Sequence, residues 1–305
     1  PFFEQLKALF CDVPLPALNT EYATMSNSDY CNAAASLKNC YLCFRADYSE
    51  DCAYLNMISQ MKDCFDVSFA DVCELSYDSV NLNKCYKVFY SMNCDECQEV
   101  YFSEDLVGCS NCFGCVGLRK KQYYIFNEPH SKEEYEKKLK EFDLSSRQGL
   151  EVCKHYTYNR MLAFPRKEFH GRNAIYSSGD YLTNCKDVKD SYMVRNGEHV
   201  RYSQLLKNGP AANTYDYTMF ASRADWIYES AWVGLNVHQI KFSLWNYNAH
   251  DLEYAFGCHG SENLFGCVGI RKGQYCVLNK QYSKEEYHTL LPRIKEHMDS
   301  MPFND

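Results

Sequence analysis

Cys94-x-x-Cys97 and Cys109-x-x-Cys112-x-x-Cys115 are the residues whose type and spacing best suit chemistry, because thiolates three residues apart can chelate zinc or anchor an iron-sulfur cluster. They belong to a chain with 18 Cys in 305 residues, so the five are either a site or part of something larger. Among the 9 His and 40 acids there is no H-E-x-x-H, G-x-S-x-G, G-x-G-x-x-G or P-loop pattern. Asp180, in Ser178-Gly179-Asp180-Tyr181, and Glu229, near Tyr228 and Trp232, are the acids to consider for glycan cleavage, which needs two carboxylates at a set separation. Single acids in turns are usually turn-formers.

The spacing favours the larger pattern. From Cys31 onward, Cys40, Cys43, Cys52, Cys64, Cys73, Cys85, Cys94, Cys97, Cys109, Cys112 and Cys115 lie at multiples of three from one another. Between Cys31 and Leu118 no position of that phase is charged or aromatic, and every Tyr and Phe of the stretch falls in the other two phases. Small residues therefore point inward and aromatic ones outward. Free cysteine packs as a small hydrophobe, so these thiols read as core and no metal or cofactor is called for. Zinc or iron-sulfur ligation by Cys94, Cys97, Cys109, Cys112 and Cys115 is the alternative. Disulfides between layers about 4.8 Å apart are a third reading.

Neither a helix nor a flat strand repeats every three residues, but a coil of short strand segments does if each turns its middle residue inward. Cys31, Cys52, Cys73, Cys94 and Cys115 are each 21 residues apart, as are Cys43, Cys64 and Cys85. That spacing predicts seven triplets per rung in a parallel β-solenoid. The phase returns in the second half at Leu182, Cys185, Val188 and Ser191 and runs on through Thr218 to Val233. It slips one residue near Gly234 and resumes from Val237 to Cys276. Phe113–Lys120 and Phe265–Lys272 match at an offset of 152 residues, the mark of an internal duplication.

Ser131 with Glu134, and Ser283 with Glu286, predict capping boxes that open helices. Another helix is expected over about 146–163, and Pro292 is expected to kink or interrupt the last one. The fold class is thus mainly β: two tandem cysteine-rich parallel β-solenoids of about 21 residues per rung, each capped by α-helices. The expected boundaries are an N-terminal helical cap over 1–30, a first solenoid over 31–128, capping and linking helices over 129–168, a second solenoid over 169–280 and a C-terminal capping helix over 281–305.

On such a rung the outward aromatics form columns, Phe44, Phe65 and Tyr86 in one and Tyr48, Phe69 and Tyr90 in another, with Tyr181 above Tyr202 and Trp226 above Tyr247. Aromatic columns can stack bases or sugars, or serve as packing surface. Arg119-Lys120-Lys121 and Arg271-Lys272 give each half a basic spot suited to phosphate or another acidic group. Cys11 and Cys153 lie off the ladder and are expected at buried helix positions. With 32 Lys+Arg against 40 Asp+Glu, the net charge of -8 excludes a globally basic surface. No apolar run is long enough to span a membrane, and a reduced cytoplasmic setting fits unbridged thiols. Pro1 without a preceding Met is what a piece of a longer chain would show.

The segments Asn39-Cys40-Tyr41-Leu42-Cys43-Phe44, Gly108-Cys109-Ser110-Asn111-Cys112-Phe113-Gly114-Cys115-Val116-Gly117-Leu118-Arg119-Lys120-Lys121, Pro1-Phe2-Phe3-Glu4-Gln5, Ser178-Gly179-Asp180-Tyr181 and Asn184-Cys185-Lys186 together resemble hypothetical cysteine-rich repeat proteins of candidate-phyla-radiation bacteria. The resemblance covers nearly the whole chain. Members often carry treble-clef or ribbon-like zinc fingers ahead of this region, which implies nucleic-acid or protein recognition. The expected function is accordingly a non-enzymatic macromolecule-binding or scaffold module, with nucleic acid the first partner to test. The rivals are a carbohydrate-active β-helix enzyme and a cysteine-ligated metal or redox protein.

Overall fold

The protein is described by a computed structural model covering residues 1–206, 217–218, 229–231, 241–244 and 252–301. It divides into two compact units, Pro16–Arg166 and a second made of Pro1–Leu15 with Lys167–Asp305. Each contains stacked parallel strands. No helix among the described residues is long and apolar enough to cross a membrane.

The period of three has a backbone cause. From Asn27 to Phe126 every third residue has positive φ, and each of these left-handed residues immediately precedes an inward one. A left-handed residue turns the chain, so each triplet is one short extended side ending in a corner. That conformation costs an ordinary L-residue about 1–2 kcal/mol, and Gly, Asn and Asp tolerate it best. The corner phase is correspondingly rich in them: Asn39, Asp51, Asp63, Asp66, Asp78, Asn81, Asn93, Asp105, Gly108 and Asn111 all occupy it, and Val72 is its sole β-branched residue.

Inward residues stack twelve apart. Ala46 pairs with Ile58, Ile58 with Ala70, Ala70 with Leu82, Leu82 with Cys94 and Cys94 with Leu106, all parallel. A rung is therefore four triplets, and the 21-residue rung expected from the cysteines is corrected to 12. Both numbers are multiples of three, and the cysteines between 31 and 115 supply six pairs at either spacing, so cysteine position alone cannot choose. What chooses is the outward chemistry of an in-register parallel stack, which sets residue i beside i+12. Lys38 then meets Glu50, Lys84 meets Glu96 and Lys87 meets Glu99, while Asn27 donates to Asn39, Asn39 to Asp51 and Asn81 to Asn93.

The interior is built of small residues with a hydrogen-bonding tip. Ladder bonds use two N–H groups per triplet, as in Ala53 N–H to Cys64 O at 3.1 Å and Asp66 N–H to Ala53 O at 3.2 Å. The inward residue's own N–H lies outside that ladder. At four positions of the first stack a serine twelve residues earlier accepts it through its hydroxyl: Met61 N–H donates to Ser49 Oγ, Ser91 to Ser79, Ser103 to Ser91 and Cys115 to Ser103. Inward hydroxyls and thiols in turn donate to the carbonyl two residues back, as Ser103 does to Tyr101 O and Cys97 to Asp95 O. Serine in this core thus gives inward N–H groups a partner that leucine could not, while the side-chain hydroxyls and thiols find acceptors in carbonyls already in the ladder.

Helices finish the first unit. The hairpin Tyr124 to Pro129 reverses the chain, α1 (Phe2–Asp12) belongs to the second unit, and α2 (Lys132–Leu139) starts at a full Ser131/Glu134 capping box. Next comes α3 (Arg147–Met161), N-capped by Ser146. In the second unit Leu182, Cys185, Val188, Ser191, Val194 and Val200 are buried again, as are Leu252, Ala255, Cys258, Ser261, Leu264, Cys267 and Cys276. Between these blocks the register lengthens: Gln204 pairs with Thr218, Thr218 with Ala231 and Ala231 with Leu244, before twelve returns from Leu244 to Phe256. Thr218, read from the sequence as inward, therefore pairs with the residue that follows inward Ser203. The expected slip at Gly234 lies outside the described residues. Helix α4 (Lys284–Asp299) opens at the Ser283/Glu286 box and continues through Pro292 without interruption.

Candidate binding surface

Four triplets per rung give the first stack four faces, and a 21-residue step falls one triplet short of two rungs and so lands on a neighbouring face. The aromatic columns expected from the sequence therefore come apart. Phe65 and Tyr90 share one face. Phe44 and Phe69 lie on the next, where Phe44 is followed by Asn56, Ser68 and Val80. Tyr48 lies beside the Asp47, Ser59, Asp71, Asn83 column on a third. Tyr86 stands between Glu74 and Gln98 on the fourth. Tyr181 stacks on His170 at 4.8 Å and meets Tyr192 edge-on, rather than Tyr202. Trp226 and Tyr247 lie outside the described residues.

One face is aromatic along its length. Tyr41, Ala53, Phe65, Tyr77, Phe89, Tyr101 and Phe113 stand in a single twelve-residue register, with Tyr30, Tyr54, Asp66, Asp78, Tyr90, Phe102 and Phe126 at the corners beside them. Phe89 and Tyr101 stack at 5.3 Å and Tyr90 and Phe102 at 4.7 Å, while Tyr41 meets both Tyr30 and Tyr54 edge-on. The signal for this face, aromatics at five successive positions twelve residues apart from Phe65 to Phe113, is present in the sequence.

The two halves of the face differ. At the end nearer α2, Phe102, Phe113 and Ile125 are buried with Tyr135 of α2 and Cys153 of α3, and Phe142 stacks on Phe113 at 4.3 Å. Lys154 of α3 ion-pairs with Asp78 at 2.7 Å and sits 4.6 Å above the Tyr90 ring. The other half is uncovered: Tyr30 is 70% exposed, Tyr41 43%, Tyr54 51%, Phe65 45% and Tyr77 37%. Asp29 and Asp66 flank these rings, both exposed, and among the described residues neither makes an ion pair.

The basic spots are separate, one in each unit. Arg119 is held bidentate by Asp105 at 2.9 and 3.0 Å, so its guanidinium is already neutralised. Lys120, Arg271 and Lys272 are exposed. His259 stands in register with Arg271, and burial first, then that guanidinium, hold its imidazole below the usual range.

The thiols first singled out are interior. Cys97 and Cys109 stack in one column, and Cys109, Cys112 and Cys115 are successive inward positions of one rung. Each of the five donates to the carbonyl two residues back, at 3.3 to 3.6 Å. Cys97 is pushed up to about 12, first by its contact with Cys85, and Cys109 is drawn down to about 6 by the hydrogen bond from Cys112. Among the described residues no three His, Cys, Asp or Glu side chains converge as metal ligands. Cys153 is buried in α3 as expected, but Cys11 is exposed, because it falls on the outer side of α1 while Phe2 faces the unit.

Asp180 accepts from the His170 N–H at 2.6 Å, from its ring at 3.1 Å and from the Tyr181 N–H at 2.9 Å. Burial raises its pKa, and these bonds together outweigh that and hold the carboxyl below its usual value. It organises a turn. Of Glu229 only the backbone is described, in the strand Glu229–Ala231.

No protein-family model matches the chain, and no curated protein matches it significantly.

Proposed function

We propose that the protein is a non-enzymatic binding module: two tandem helix-capped solenoids of which the first presents the uncovered aromatic stretch Tyr30–Tyr41–Tyr54–Phe65–Tyr77 to a macromolecule. The observation that carries this is the contrast along one face, continuous in register and aromatic in both halves, whose one half is covered by the chain's own helices while the other exposes five large rings. Contiguous exposed aromatics of this kind mark interaction surfaces. Protein is the favoured partner class. Asp29 and Asp66 flank the rings and repel phosphate, and the net charge of -8 gives no compensating field. Nucleic acid, the partner the family resemblance points to, is thereby the second choice.

The test is a photo-crosslinking residue in place of Tyr54 of the intact chain, with a Phe65→Ser variant alongside and single-stranded oligonucleotides titrated at low salt. A crosslinked protein that disappears with Phe65→Ser supports the reading. Crosslinks indifferent to Phe65→Ser would sink it, and oligonucleotide binding that depends on Phe65 would replace protein by nucleic acid.

A further inference from the structure

We propose that the uncovered half of the aromatic face receives an amphipathic α-helix of a partner protein carrying a Lys or Arg on its docking side, seated as α3 is seated on the covered half. The proposal rests on the binding-surface reading above and names the partner's chemistry.

The uncovered half continues, as one surface, an interface the molecule already makes. Helix α3 lays Leu150, Cys153 and Thr157 against the face, positions i, i+3 and i+7, with Thr157 Cγ2 closing over Gly114. At i+4 it presents Lys154, which takes the carboxylate of Asp78 and the face of Tyr90 together. This is helix-in-groove recognition with a cation–π anchor. The same elements recur immediately beyond it. Asp66 occupies the corner one rung before Asp78, its carboxylate exposed and, among the described residues, without an ion pair. Tyr54 lies one rung further on, as Tyr90 lies one rung from Asp78 on the other side. A cation at Asp66 thus finds a carboxylate and a neighbouring ring, as Lys154 does.

The dimensions agree. From the rung of Tyr30 to that of Tyr77 is four rung steps, about 19 Å at about 4.8 Å each, the length of about 13 helical residues. Helix α3 itself has 15 residues. An acidic or neutral helix would leave Asp29 and Asp66 unpaired against it, so the charge of the occupant follows from the face.

The probe is a synthetic, end-capped peptide of residues 147–161, kept reduced and fluorescently labelled, titrated into the intact chain. The expected result is saturable binding, weakened at least tenfold by Phe65→Ser or Asp66→Lys in the protein and by Lys154→Glu in the peptide, with affinity recovered when Asp66→Lys meets Lys154→Glu. Both protein substitutions are at exposed positions, and unchanged circular dichroism melting shows that the variants remain folded. Absence of saturable binding at millimolar peptide, or binding indifferent to Asp66→Lys, overturns the proposal. If the peptide fails while the Tyr54 crosslink still depends on Phe65, the helical partner falls and the binding surface stands. If both fail, both readings fall.

Discussion

Val72 offers the sharpest test of the corner geometry. It holds φ at 54° and is 49% exposed, so its side chain contributes little burial while its branched Cβ sits in the conformation least suited to it. Val72→Asn keeps the corner and relieves that strain, and of the about 1–2 kcal/mol penalty about 1 kcal/mol should be recovered. For a unit of this size that raises Tm by about 2–4 °C. Gly117 supplies the mirror experiment. Its φ is 70° and a Cβ there would meet nothing within 4 Å, so Gly117→Val changes backbone energy without a clash. The penalty of about 1–2 kcal/mol is partly offset by the lower entropy of the unfolded valine chain, about 0.5–1 kcal/mol, leaving a net loss near 1 kcal/mol. The positions are almost four rungs apart, so the double variant should return close to the parent. Urea and thermal unfolding followed by circular dichroism read all three. A Val72→Asn protein less stable than the parent, or a Gly117→Val protein equally stable, would refute the account of the fold as a chain of left-handed corners.

Other consequences are accessible to the same methods. Gly114→Ala drives a Cβ into the Phe126 ring, and strain plus overpacking of about 2–4 kcal/mol should appear as faster hydrogen exchange in α3; unchanged exchange there contradicts the packing described. Ala70→Lys puts a charge at a position 2% exposed and should unfold the first unit, whereas the outward Lys62→Gln, which adds no like charge between its neighbours Glu50 and Glu74, should shift stability by only about 0.5 kcal/mol. Of the 18 cysteines only Cys11 is exposed, so a disulfide reagent should titrate one thiol rapidly and the others on unfolding; several fast thiols would mean an open interior. Because His259 is held below its ordinary value, the unfolded chain takes up a proton first as pH falls below about 6.5. Its contribution is therefore complete above that pH and is lost below it, and His259→Gln should flatten that part of the stability profile.

Much of this architecture could be read from residues alone, and the part that could not has a definite reason. The inward phase from Cys31 to Leu118, the capping boxes at Ser131 and Ser283, and the duplication anchored at Phe113 and Phe265 all rest on local spacing, which the chain cannot disguise. Rung length is a non-local quantity. Cysteine satisfies the interior wherever it stands, so its spacing is blind to whether Cys52 sits above Cys31 or above Cys40. Outward residues are not blind, because a like charge twelve away would be a direct neighbour; Lys38 with Glu50 and the run from Phe65 to Phe113 carried the answer. The aromatic site followed the same fate. The phase sends aromatics outward as a class, but of the five exposed rings only Phe65 falls in a column drawn at 21, and that grouping puts Phe44, Phe65 and Tyr86 on one line when they belong to three faces. Pro292 shows the reverse, a residue expected to break a helix that leaves Lys284–Asp299 continuous, held by Tyr287, Leu290, Ile294 and Met298 against its unit.

The two ends of the first stack are unequal. Its last rungs carry the Tyr124–Pro129 hairpin and pack against α2 and α3, whereas its first, paired by the same backbone ladder as in Ser26 N–H to Leu37 O and Asn39 N–H to Ser26 O, have no α-helix of their unit packed on them among the described residues. A stack in which every layer leans only on its neighbours melts as a zipper opens, so amide protection should fall steadily toward residue 26. The uncovered rings lie on the layers that open first. Whatever binds there holds the zipper shut, and occupancy of the surface is written into the lifetime of the fold beneath it.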